Sequence, residues 1–421
     1  MLNDGPLARF PALGGGLVKP LYDYSFGNIP NTIEHLLTGA KRAPLLPPDC
    51  FGGSYPNPRK VVLVFVDSFG WRFWQDHQHR FRTTRRVAEH GTLTPISALF
   101  PSTTAASVST LNLGVLPAEH ALYEWNIYIP AYGEVIQSLA FTPLGRHRRD
   151  SCLEKGYDPA KLLEVHETMH QRLARSGVRS IQFSHSNYAG SAYNRSASAG
   201  AEVVVHGTLA EGLVQLRNAV VNTPDKALLA FYWASLDTIA HIYGPGTPFH
   251  AAEIASFWHT FDAIFQDVDA ADTLYLFTAD HGQVRSDARA TIYINEAIPE
   301  LADCLPVSPT GNPIYPNGSP RDVFLHVRPE RKAQALDLLH RHLDADALIL
   351  PMDEALQQGL FGPQPVCAEL RRRLGDILIL PYSDRFIWWR ERDRMENTFH
   401  GHHGGLLPDE VITVLGAIDR L

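Results

Sequence analysis

VVLVFVDSFG, residues 61–70, decides how the rest of the chain is read. Six apolar residues, mostly β-branched, run into Asp67 and then a glycine turn. A short unbroken run of this kind is a strand buried on both faces, as in a parallel sheet. The form returns as TLYLFTADHG, residues 273–282, where the apolar run ends in Asp280, His281 and Gly282. ALLAFYWASLD (227–237) and VRSIQFSHS (178–186) are further strand candidates. TTAASVSTLNLG, starting at Thr103, reads as a helix that Ser102 or Thr103 could cap. Residues 251–269 also have helical spacing. Strands alternating with helices predict an α/β fold around a central, mostly parallel sheet flanked by helices. In such sheets, ligands sit beyond the carboxyl ends of the strands.

Outward from these strands the composition changes. The chain has 421 residues. At roughly 100–200 residues per domain, that allows two or three domains, or one large domain with insertions. Residues 1–58 are rich in Gly and Pro, with one helix candidate (NTIEHLL) after Pro30, and read as an extension packed on the core. Residues 59–282 and 400–421 form the core. Residues 283–399 read as a smaller inserted α+β subdomain. There RDVFLHVRPERKAQALDLLHRHL suggests strand then helix, and GDILILPY another strand. The tail DEVITVLGAIDRL returns as a strand or short helix.

Lys plus Arg number 37 against 45 Asp plus Glu, a net charge of −8. A nucleic-acid polymer, which needs a basic field, is therefore not an expected partner. Cys50, Cys152, Cys304 and Cys367 form no CxxC pair, so neither a disulfide framework nor a thiolate zinc site is expected. The apolar runs fall far short of the ~20 residues of a membrane helix, and no membrane association is expected. The N-terminus has no basic region followed by an apolar stretch, which predicts a cytoplasmic protein. Twenty histidines stand out, because imidazole binds metals and moves protons near neutral pH.

Five clusters carry chemistry. Asp67 could be a metal ligand, a helix cap or a turn former. FPSTTA, residues 99–106 with their flanks, gathers hydroxyls at a helix N-terminus, where free N–H groups favour an anion; an ordinary cap is the plainer reading. Asp237 and His241 are four apart on one face of a helical turn, as a shared metal or a surface pair would require. Asp280 and His281 can reach one ion only if the chain turns, which Gly282 permits. FHGHHGG, residues 399–405, puts three histidines in a glycine-flanked loop. Together they supply oxygen and nitrogen ligands for two zinc-like ions. Two such ions ~3.5–4 Å apart can clamp the attacking and leaving oxygens of an in-line displacement at phosphorus.

These motifs, in this order from Val61 to the C-terminus, resemble the alkaline phosphatase superfamily. Within it they look most like the type I phosphodiesterase/nucleotide pyrophosphatase family. D-x-x-x-H-x-x-G-P, the closing G-x-H-G, and FPSTTA followed by Gly114 and LPAEH carry the resemblance. It implies an alkaline-phosphatase-like fold and two divalent cations, most simply zinc. One cation would be held by Asp237, His241 and His403, the other by Asp67, Asp280, His281 and the oxygen of the nucleophile. The family spacing from Gly114 selects Thr104 as nucleophile, with Thr103 as the near alternative. G-x-H-G selects His403 over His402, and His400 lies outside the pattern. Asn126, in HALYEWN, matches the family's phosphate-binding Asn, although Ala121 stands where the family has Gly. The implied reaction hydrolyses small phosphate diesters through a phospho-threonine intermediate.

Other activities of the superfamily fit these residues less well. Sulfatases share the fold, but CLPVS at Cys304 lacks their Arg and falls after the D-H-G motif. A phosphomonoesterase needs an extra cation, and no Lys or Arg occurs from Val87 to Gly145. A phosphonate hydrolase would use the same residues. A non-catalytic metal-binding scaffold should have lost ligands, and all seven positions are filled. Tyr123, Trp125 and Tyr128 could stack a base or merely pack the loop. The oligomeric state is not legible.

Overall fold

The computed structural model describes every residue except 166, 271, 286, 310 and 392–394. Two seven-stranded sheets organise the described residues. In the first, the order is Thr92–Ser97, Ile412–Ile418, Thr273–Thr278, Lys60–Val66, Ala227–Trp233, Arg179–His185, Glu202–His206. The five strands from Thr273–Thr278 to Glu202–His206 are mutually parallel. Ile412–Ile418 lies antiparallel between Thr273–Thr278 and Thr92–Ser97. The sheet is therefore α/β and mostly parallel, as expected.

Strand alternation divides the core. Val62, Val64 and Val66 join Phe231 and Phe277 on one face, packed by the Leu209–Asn222 and Pro248–Phe265 helices. Val61, Leu63 and Phe65 join Leu228 and Leu276 on the other. That second face receives Ile33 and Leu37 of the Ile29–Thr38 helix and Leu111 of the Thr104–Leu113 helix. Burial on both faces explains why these strands lack the polar alternation of a one-sided sheet. The tail holds both forms suggested by its sequence, a Pro408–Val411 helical turn and then the Ile412–Ile418 strand.

The second sheet is antiparallel throughout, in the order Ala347–Pro351, Ile377–Pro381, Asp322–Leu325, Asn317–Ser319, Asn126–Ile129, Glu134–Gln137, Thr142–Pro143. It is not confined to residues 283–399, since three strands come from 126–143. Asn126 pairs with Gly318 and covers what would otherwise be an open edge at Asn317–Ser319. The second sheet is thereby joined to the segment that follows the Thr104–Leu113 helix.

Candidate metal centre

The carboxyl ends of the parallel strands converge on one site. Asp67 follows Lys60–Val66, Asp280 follows Thr273–Thr278, and Asp237 follows Ala227–Trp233 by one turn of the Ser235–Tyr243 helix. Thr104 begins the Thr104–Leu113 helix, and Thr103 is its cap, with Oγ1 accepting from the amide of Ala106 at 3.3 Å. The two threonines therefore differ in role. Thr103 also donates to the carbonyl of Tyr123 and is buried. Thr104 donates to both Asp67 oxygens at 3.4 Å and lies 3.3 Å from Nε2 of His281.

Each imidazole is fixed by its Nδ1. His241 bonds the carbonyl of Gly401 at 2.7 Å, His281 that of Gly282 at 3.0 Å, and His403 that of Ser102 at 2.8 Å. A carbonyl only accepts, so Nδ1 carries the proton and Nε2 offers a lone pair. Those lone pairs face carboxylates. His281 Nε2 is 3.3 Å from Asp280 Oδ2 and 3.7 Å from Asp67 Oδ1. His241 Nε2 is 3.3 Å from Asp237 Oδ2, and His403 Nε2 is 3.7 Å from Asp237 Oδ1. Lone pairs aimed at anionic oxygens are the donor set of a cation. Oδ2 of Asp280, fully buried, also has no hydrogen-bond partner among the described residues.

The electrostatics agree. Burial, reinforced by the charges of Asp280 and Asp237, pushes the Asp67 carboxyl well above its ordinary range. Burial pushes Asp280 up to about 7 and lowers His281 to about 4. Burial and the neighbouring His281 lower His403 well below its ordinary value. Burial opposes ionisation of Asp237, but His241 and the other imidazoles outweigh it and hold that carboxyl low. Burial opposes protonation of His241, but Asp237 outweighs it and raises that imidazole. Crowded carboxyls beside the depressed imidazoles of His281 and His403 suit a divalent cation.

Two ligand sets have all their donor atoms within 4.8 Å of one another: Asp67, Asp280 and His281, and Asp237, His281 and His403. His281 belongs to both, its ring stacked on that of His403 with centroids 3.6 Å apart. The first set matches the grouping expected from the sequence. The second brings Asp237 and His403 together with His281 in reach, and His241 lies beside them, its Nε2 3.3 Å from Asp237 Oδ2 and its ring 4.7 Å from that of Phe399 between centroids. Asn126 lines the same cavity as Thr104 and spends an amide N–H on the carbonyl of Gly318 at 2.9 Å. Ala121 adopts φ +63°, the left-handed conformation that glycine takes most easily.

Several contributors were not foreseen. The phenol of Tyr232 donates to Asp67 Oδ2, and the buried amide of Gln283 donates to Asp237 Oδ1. Glu124, which burial raises to about 8, lines the cavity. Gln283 directly follows D-H-G, so adjacency was its one sequence signal; the strand and loop placing Tyr232 and Glu124 meet the site only on folding. Tyr123 and Tyr128 are buried in packing, whereas Trp125 remains 38% exposed on the cavity. The cavity holds about 810 Å³, and Arg149 is the one Lys or Arg on its lining among the described residues. Arg149 lies just beyond the cation-free stretch noted above. No helix among the described residues is long and apolar enough to cross a membrane.

A family model for type I phosphodiesterase / nucleotide pyrophosphatase matches residues 61–406. No curated protein sequence matches significantly. Among solved structures, murine ectonucleotide pyrophosphatase/phosphodiesterase 5 superposes with a TM-score of 0.64 at 14% identity, over 85% of this chain and 87% of that one. An inactive variant of it, in complex with AMP, gives 0.63 at 13% identity, with the same coverage. Phosphonoacetate hydrolase from Sinorhizobium meliloti 1021, in complex with phosphonoacetate, gives 0.60 at 18% identity, over 86% of this chain and 90% of that one.

Proposed function

Because this chain belongs to the type I phosphodiesterase/nucleotide pyrophosphatase family, a family of metal-dependent hydrolases, we propose that it hydrolyses small phosphate diesters with Thr104 as nucleophile. The observation that carries this reading is the position of the Thr104 hydroxyl. It opens a helix and sits between Asp67 and His281 at 3.3–3.4 Å.

Two zinc-type cations would supply the positive charge that draws the phosphoryl group in and stabilises the attacking and leaving oxygens. Asp67, Asp280 and His281 would hold one, with Thr104 beside it. Asp237, His241 and His403 would hold the other. Thr104 Oγ1 forms the new bond to phosphorus as the bond to the leaving oxygen breaks. Asp67 and His281 Nε2 would be occupied as ligands, so the Thr104 proton would pass to water. The free N–H groups at the start of the Thr104–Leu113 helix favour the anionic phosphoryl group. Water then cleaves the phospho-threonine, regenerating the hydroxyl, so that two displacements give net retention at phosphorus. Asn126 is assigned a phosphate oxygen. Residues 59–282 with 400–421 supply this machinery.

Arg149 favours a second reading. A guanidinium on the cavity wall suits a substrate bearing another negative charge, either a phosphate monoester or a carboxylated phosphonate. The test compares bis-p-nitrophenyl phosphate, p-nitrophenyl phosphate, phosphonoacetate and a nucleoside p-nitrophenyl ester with zinc present. A dominant diester rate is expected; a dominant monoester or phosphonate rate selects the second reading.

A further inference from the structure

Gln283 is fully buried beside the metal centre and turns its amide nitrogen on a single residue. Nε2 donates to Asp237 Oδ1 and also to the backbone carbonyl of Asp237, at 3.4 Å. Both acceptors are oxygens that cannot donate, so nitrogen is the amide atom that faces them. The two contacts close a ring through the side chain of Asp237 and fix its rotation. The carboxylate so held faces both imidazoles of its set, Oδ2 toward His241 Nε2 at 3.3 Å and Oδ1 toward His403 Nε2 at 3.7 Å. The clamp carries no charge. A Lys or Arg in its place would hold the carboxylate too, but would repel a cation bound there. The guanidinium of Arg72 is instead spent on the carbonyl of Gln283, at 3.2 Å, and on Asp409.

The backbone on either side of Gln283 reaches the other members of this set. Val284–Arg285, directly after it, pairs antiparallel with Gly401–His402. The carbonyl of Gly401 takes Nδ1 of His241 at 2.7 Å, and His403 follows two residues on. A Cβ on Gly401 would collide with the carbonyl of Ala240 and stand 2.8 Å from Oε1 of Gln283, so glycine is what lets the histidine loop close on the amide. We propose that Gln283 is a positioning residue for the cation that Asp237, His241 and His403 would hold, acting through the orientation it imposes on the Asp237 carboxylate. The inference rests on the proposed function for the presence of that cation, and it adds to the machinery a residue that binds neither metal nor substrate.

The test reads zinc binding and needs no substrate. Metal-free protein is titrated calorimetrically with zinc, and Asp237→Ala identifies the binding step that depends on that carboxylate. Gln283→Met keeps the length of the side chain but cannot donate, and Gln283→Asn keeps the amide but retracts it by one methylene. Each should weaken the Asp237 step by roughly 10–100-fold and leave the other step within about twofold. The unchanged step shows that the variant is folded. In an Asp237→Ala background, Gln283→Met should move the remaining step by no more than about twofold, because the clamp has nothing left to hold. Parent affinity at both steps in either variant, an equal loss at both steps, or a larger shift in the Asp237→Ala background would overturn the positioning role and leave the metal-dependent reading standing. A parent protein that binds zinc at neither step would overturn both.

Discussion

The hydroxyl oxygen of Thr104 lies 3.3 Å from Nε2 of His281, although 177 positions separate the two residues. One comes from the start of a helix, the other from the turn after a central strand. Their meeting puts a hydroxyl from one local motif beside a prospective metal ligand from another.

Thr104→Ala should therefore lower kcat by roughly three orders of magnitude or more, with little change in melting temperature. Thr103→Ala should do the reverse. It removes the cap accepted from Ala106 and the bond to Tyr123, for about 1 kcal/mol of stability, and leaves turnover within a few-fold. Steady-state kinetics and thermal melts on both variants decide it, and exchanged phenotypes would put the nucleophile at Thr103.

His281 is shared by the two candidate ligand sets, whereas His241 faces Asp237 Oδ2 at 3.3 Å. His281→Ala is expected to cost more bound metal per chain than His241→Ala, as read by elemental analysis after dialysis. Chelation should lower the melting temperature of the parent protein. Zinc at about 100 times its Kd should restore about 2.7 kcal/mol. Equal metal loss in the two variants would argue against sharing.

Arg321 and Glu410 form a fully buried bidentate pair, with both contacts at 2.9 Å. Glu410 also accepts the amides of Gly405 and Leu407 at 3.1 Å, and so ties down the loop that carries His403. Glu410→Gln leaves a buried guanidinium without its counter-charge. The expected loss is about 3–5 kcal/mol in urea unfolding, accompanied by weaker metal retention. A variant as stable as the parent would show that the pair is dispensable.

His170 is buried between Ser180 and Asn112 at 2.6 and 2.8 Å, and burial lowers it to about 4. Its ordinary value is 6.5, so the unfolded chain takes up this proton first as pH falls. The stability contributed by the neutral ring is complete above about pH 6.5 and is lost progressively down to about pH 4. The loss approaches about 3 kcal/mol at the acid end. Between about pH 7.5 and 4.5 the unfolding free energy of the parent should fall further than that of His170→Gln, which lacks the titrating ring; equal falls would rule the ring out.

The strands were legible because burial on both faces leaves an unmistakable apolar run, as in residues 61–66 and 273–278. The ligand candidates were legible because each closes such a run or sits beside a glycine that frees the turn. The second sheet was not, since its strands at 126–143 and 317–381 are short, and their pairing depends on segments nearly 200 residues apart. Tyr232 and Glu124 were hidden too, because their side chains acquire meaning only from what faces them, as with Tyr232 and Asp67, 165 positions apart.

The sequence by itself determined the α/β class, the family, and a set of residues able to hold cations, because those features depend on local apolar periodicity and on spacings within one turn. Only the tertiary structure decided that Thr103 caps while Thr104 faces the carboxylates, and that Asp67, Asp237 and Asp280 converge with His281 and His403. These depend on which atoms meet across the sheet, and close packing settles that between residues far apart in the chain.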